Sequence, residues 1–189
     1  MRRVAEGPPG IETDEHVVEV VAPMLRWAER RTDADTVVIA CYSDPGLREL
    51  RAALDKPVLG IAECAMLTAL TLGERFGILS ILPGSVPRHV RYIRALGLES
   101  RCAGDLPIGF GVVELEAEPG VFERMIQVGK DLRADHGAEV LILGCAGMAD
   151  YRGRLEEAVG LPVVDPTQAA VAMAVGQARL GWGRMARAG

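Results

Sequence analysis

Four cysteines, at positions 41, 64, 102 and 145, carry most of the chemistry open to this 189-residue sequence. Only three histidines (His16, His89, His136) and two lysines (Lys56, Lys130) accompany 19 arginines. Few side chains other than thiols can therefore move a proton near neutral pH or form a Schiff base. The cysteine spacing contains no Cys-x-x-Cys pair, and no histidine lies close enough in sequence for a zinc hook. Cys41 and Cys145 occupy equivalent places. Each closes an apolar run (TVVIAC, EVLILGC), and each is followed by a turn of small residues that opens a helix (SDPGLRELRAAL, AGMADYRGRLEEAV). Such a place puts a side chain at the mouth of a sheet beside helix N-terminal N–H groups, which lower a thiol's pKa and hold anionic oxygen. One cysteine at a strand end reads equally well as a small core residue. Two at matched turns, in a chain poor in other bases, read as a functional pair.

The elements that position them follow from the hydropathy pattern. Short runs rich in Val, Ile and Leu predict strands near 36–41, 57–61, 76–82, 108–113, 139–144 and 162–164. They are continuous rather than alternating, as strands covered on both faces are. Between them amphipathic stretches predict helices from Thr13 or Asp14 to about 31, interrupted by Pro23, and from Asp44-Pro45 to about 54. Further helices are expected over 64–74, 85–96, 119–135, 148–159 and 166–186. Strands alternating with helices imply right-handed crossovers, parallel sheets and ligands at the carboxyl ends of the strands. The fold class is α/β.

Composition excludes several classes. The chain is 49% apolar and 25% charged with a net charge of −5, a globular composition long enough to bury a core without staples. No apolar run reaches the ~20 residues of a membrane span, and MRRVAEGPPG lacks the apolar centre of a secretion signal. A cytoplasmic protein with free thiols is expected. The arginines are scattered among acids and aromatic residues are 4% of the chain, which argues against a nucleic-acid partner.

The segments VVIACYSDPGL, PVLGIAEC and LILGCAGM, in that order, resemble the hydantoin and allantoin racemases of the aspartate/glutamate racemase superfamily. The resemblance runs from GPPGIETDEH to PVVDPTQAAV. It implies two pseudo-symmetric α/β lobes, about 1–75 with 162–189 and 76–161, with the active site between them. It also implies that Cys41 and Cys145 are the catalytic pair, and that neither pyridoxal phosphate nor metal takes part. Cyclic ureides, 5-substituted hydantoins or allantoin, are the implied small-molecule substrates. Family members open with a strand bearing an Asn-Pro-Asn segment; without it, the first lobe is expected to lack its N-terminal strand. The neighbouring strand then has a bare edge that favours a homo-oligomer.

On this reading one cysteine, as thiolate, removes a proton beside a carbonyl and the other returns one to the opposite face. Turn amides around Ser43–Gly46 and Ala146–Met148 are candidates for stabilising the developing oxyanion. Tyr42, Ser43, Ala146, Gly147 and Met148 are expected to line the substrate site. Glu63 matches an acidic family position and reads equally as a carboxylate at a helix N-terminus. Ser80 falls where the family often carries threonine. Asp44 and Asp165 read as helix caps, Cys64 and Cys102 as bystanders, and the histidines as solvated or structural. The alternatives are an aspartate- or glutamate-type racemase using Arg48 or Arg152 for an α-carboxylate, a related lyase or isomerase, or a non-catalytic ligand-binding relative.

Overall fold

The computed structural model describes residues 6–31, 33–117 and 119–182. Thr13 caps α1 (Asp14–Glu19) by accepting from His16 N–H. The helix stops there because Pro23 cannot donate to the Glu19 carbonyl and its ring crowds it; α2 (Val21–Glu29) begins after the break. A small parallel sheet pairs β1 (Val37–Ile39) with β2 (Val58–Gly60), with α3 (Leu47–Ala53) between them. α4 (Ile61–Ala69) follows β2 directly.

The second sheet is parallel and has the order β4-β3-β5-β6. Its strands are β3 (Phe76–Ser80), β4 (Cys102–Pro107), β5 (Val140–Leu143) and β6 (Val163–Val164). α5 (Val86–Ala95), α6 (Glu114–Ala117), α7 (Val121–Ala134), α8 (Arg152–Val159) and α9 (Pro166–Arg179) complete the described chain. Side chains alternate across β3. Phe76 and Ile78 enter a core with Ile61, Ala65, Met66 and Ala170 from α4 and α9. Leu79 points to the other face, among Met125, Val128 and Leu132 of α7. β3 and β5 are buried along their whole length, as their continuous apolar runs predict.

Three expectations differ from the structure. The run 108–113 is not a strand. The ladder beside β3 is made by CAGDLP, with Ile78 opposite Asp105, and only the amides of Ile108 and Gly109 extend it, to Ser80 and Ile81 carbonyls. The polar Asp105 disguised that strand, while the more apolar IGFGVV leaves it as a loop. The strand assigned to the first lobe near 162–164 pairs with β5, through Leu141–Val163 and Ile142–Val164, although α9 beyond it packs on α4. Third, Asp44 does not cap the helix that follows it. Gly46, in a left-handed conformation, stands at that end, and Asp44 reaches across to α4 instead. Asp165 caps α9 as its position suggests, accepting from Gln168 N–H at 2.6 Å. The final residues of the helix expected over 166–186 lie outside the described residues.

Candidate active site

Cys41 and Cys145 come together. Cys41 lies two residues beyond β1 and Cys145 two residues beyond β5, and both line one cavity of about 200 Å3. The two cysteine turns, Ala40–Ser43 and Gly144–Gly147, line it together with Pro8, Pro9, Gly10, Ile11 and Val112. Glu12 ties the segment 8–11 to Val112 by accepting from its N–H at 2.8 Å. The two thiols sit in like surroundings. Cys145 Sγ accepts from Gly147 N–H at 3.4 Å, opening the 3-10 turn Ala146–Tyr151, and Cys41 accepts from the Ser43 amide. In both turns the amide two residues on faces sulfur, so the repeat in sequence is a repeat in geometry.

Burial dominates the acidity of both groups. It pushes the Cys41 thiol up to about 11, with the Cys145 and Asp44 charges adding to the rise and the Ser43 amide and Arg88 opposing it. Cys145 is also raised, by burial first, against the pull of the Gly147 amide. In the free protein at neutral pH both are therefore largely thiols, with an amide donor aimed at each sulfur.

The Cys41 turn is held by two anchors. Asp44, buried and with φ of 44°, accepts from Ala62 and Glu63 N–H at 3.0 Å each and from the Tyr92 hydroxyl at 3.0 Å. It thereby caps α4 from a distance of 18 residues along the chain. Its carboxyl is pushed up to about 7 because burial outweighs those three donors. A Cβ on Gly60 would stand 2.2 Å from the Asp44 carboxyl carbon, so glycine there is what admits the cap. Arg88 of α5 is the second anchor, donating from Nε to Ser43 Oγ at 2.9 Å and pairing with Asp14 at 2.8 Å.

The remaining sequence candidates divide. Tyr42, Ser43, Ala146 and Gly147 line the cavity with the cysteines, and Met148 is buried behind it. Glu63 does not border it. It pairs with Arg51 at 2.6 Å on the far side of the Cys41 turn, in a polar hollow shared with Arg48. Ser80 also lies behind the cavity wall, donating to Asp105 Oδ1. Arg152 pairs with Glu156 and donates to the Val163 carbonyl. Cys64 is buried in the core of α4, and Cys102 begins β4. No group of three His, Cys, Asp or Glu side chains among the described residues is placed to hold a metal ion, and no helix there is long and apolar enough to cross a membrane.

Sequence reasoning missed His89. It lines the cavity and is buried against Tyr42, ring centroids 5.1 Å apart and edge-on. The signal was present: buried Ser85, just before α5, and His89 and Ile93 on its buried face recur every four residues, where an imidazole needs a polar partner.

Paired thiols just beyond the carboxyl ends of parallel strands place the chain in the α/β class with its candidate site at the strand mouths. A family model described as Asp/Glu/Hydantoin racemase matches residues 2–174, and the chain belongs to that family. It is 40% identical over 150 residues to a hydantoin racemase of Rhizobium meliloti, covering 79% of this chain and 61% of that protein's length. The allantoin racemase of Klebsiella pneumoniae superposes with a TM-score of 0.86 at 33% identity, over 96% of this chain and 75% of that one. The allantoin racemase of Pseudomonas fluorescens superposes with a TM-score of 0.91 at 28% identity, over 100% of this chain and 84% of that one.

Proposed function

We propose that the protein is a cofactor-independent racemase of a cyclic ureide, a 5-substituted hydantoin or allantoin, and that Cys41 and Cys145 are its acid–base pair. The observation that carries this reading is the placement of both thiols, each with a turn amide at sulfur, on one cavity of about 200 Å3. Family membership and the hydantoin and allantoin racemase relatives support it.

The reaction balances within the pair. One cysteine, as thiolate, takes the proton from the stereocentre and becomes a thiol. The electron pair left on carbon is delocalised into the neighbouring carbonyl of the planar ring. The opposite thiol returns its proton to the other face and is left as thiolate. Each enantiomer thus uses the cysteines in exchanged roles, and the next turnover in the same direction needs one proton to redistribute through solvent. The Ser43 and Gly147 amides stabilise whichever sulfur is charged. Tyr42, Ser43, Ala146 and Gly147 form the substrate-binding wall.

We further read the protein as cytoplasmic and as an assembly of copies. Val171 and Val175 on α9, and Leu180 and Trp182 just beyond it, are exposed apolar side chains that suit such contacts. Enantiopure 5-substituted hydantoin and enantiopure allantoin, each incubated with the protein in deuterated water, test the substrate. Loss of optical activity with deuterium at the stereocentre is expected for at least one; no exchange with either would overturn the ureide reading.

A further inference from the structure

The imidazole of His89 borders the same cavity and has no part in the two proton transfers. Its orientation is set from behind. Nδ1 lies 2.8 Å from Asp105 Oδ2 and 3.2 Å from Ser80 Oγ. The Ser80 hydroxyl has one hydrogen, and it is spent on Asp105 Oδ1. Toward Nδ1 both neighbours can only accept, so Nδ1 carries the proton. Both partners are fixed: the Asp105 side chain is 2% exposed and Ser80 0%. The Tyr42 ring, edge-on at 75°, holds the plane of the imidazole. In the neutral ring this tautomer leaves the lone pair on Nε2, and among the described residues the hydrogen bonds of the ring all run through Nδ1.

A wall that ends in a lone acceptor, braced by a buried carboxylate, suits a substrate bearing an N–H. Cyclic ureides carry ring N–H groups beside their carbonyls. We propose that His89 Nε2 accepts a hydrogen bond from a ring N–H of the substrate and so selects ureide rings over analogues that lack that donor. The proposal rests on the racemase reading above and deepens it. His89 is a recognition residue that touches substrate; Asp105 and Ser80 are positioning residues that act through it.

The test compares 5-methylhydantoin with two analogues, its N3-methyl derivative and 5-methyloxazolidine-2,4-dione, in which oxygen replaces the N–H beside the stereocentre. The wild-type protein should disfavour at least one analogue by about tenfold or more in kcat/KM, because an acceptor is then left unpaired or faces another acceptor. His89→Asn keeps a donor for Asp105 but removes the Nε2 acceptor. It should raise KM for the hydantoin more than it lowers kcat, and shrink the preference to about threefold or less. A His89→Asn protein that keeps the wild-type preference, or a wild-type protein that processes both analogues like the hydantoin, overturns the role of His89. Failure of the wild-type protein to racemise any ureide instead overturns the racemase reading. Should His89→Asn not fold, 15N NMR of the wild-type protein decides: Nε2 should be unprotonated when free and should shift on binding the hydantoin but not the analogue lacking the recognised N–H. A protonated Nε2, or no shift with the hydantoin, overturns the proposal.

Discussion

The substitution Asp44→Asn probes how the Cys41 turn is anchored. Asp44 is buried beneath that turn and its carboxyl is pushed from 3.8 up to about 7, chiefly by burial. The folded protein therefore holds this proton to higher pH than the unfolded chain does. Its contribution to stability is full below about pH 4, declines as pH rises through the interval to about 7, and is level above. At about 1.4 kcal/mol per pH unit, the decline approaches roughly 4 kcal/mol at most. Asparagine does not titrate. It also cannot accept both the Ala62 and Glu63 amides as the two carboxyl oxygens do, which adds a pH-independent loss of about 1 kcal/mol. Urea denaturation of both proteins between about pH 4 and about pH 8 isolates the effect, because every other titrating group is common to both and cancels in the difference. The wild-type advantage should be largest at the acid end, about 1 kcal/mol, and give way to an advantage of Asp44→Asn as pH rises to 7 and above. A wild-type advantage that is flat, or that grows as pH rises, would mean that the three donors outweigh burial and would refute the reasoning.

Two further outcomes follow from the site. Because both thiols are raised, Cys41 to about 11, kcat/KM for racemisation should climb from pH 6 toward pH 9, approaching tenfold per pH unit after subtraction of the uncatalysed rate; a maximum below pH 7 would contradict a buried thiol pair. Gly144→Ala should lose activity together with about 1–3 kcal/mol of stability, measured by denaturation and racemisation of the same sample. The added Cβ would stand 2.5 Å from the Leu79 carbonyl oxygen, forcing β3 and β5 apart immediately before Cys145.

Much of the fold was legible because β3 and β5 are apolar throughout and the cysteine turns repeat one local pattern. Strand β4 was not, since Gly104 and Asp105 interrupt its apolar run and its membership depends on pairing with β3, a contact distant in sequence. The pairing of β6 with β5 is of the same kind. At the candidate site, the strand-to-turn pattern marks Cys41, Tyr42, Ser43, Cys145, Ala146 and Gly147, which line one cavity. Glu63 and Ser80 sit at the ends of the right elements, but their side chains turn to Arg51 and Asp105, a choice made by partners 12 and 25 residues away along the chain. His89 hid for the same reason: its partner Asp105 lies on the strand that the hydropathy pattern did not reveal.

The central claim is that two thiols serve opposite faces of one substrate. Its most direct test follows both enantiomers of the accepted ureide in deuterated water with the wild-type protein, Cys41→Ala and Cys145→Ala, reading optical rotation and deuterium at the stereocentre together. Racemisation with deuterium incorporation is expected of the wild type. Each variant should lose racemisation by at least about a thousandfold, and any residual exchange should be confined to one enantiomer, the opposite one in the two variants. Racemisation at the wild-type rate by either variant would contradict the account.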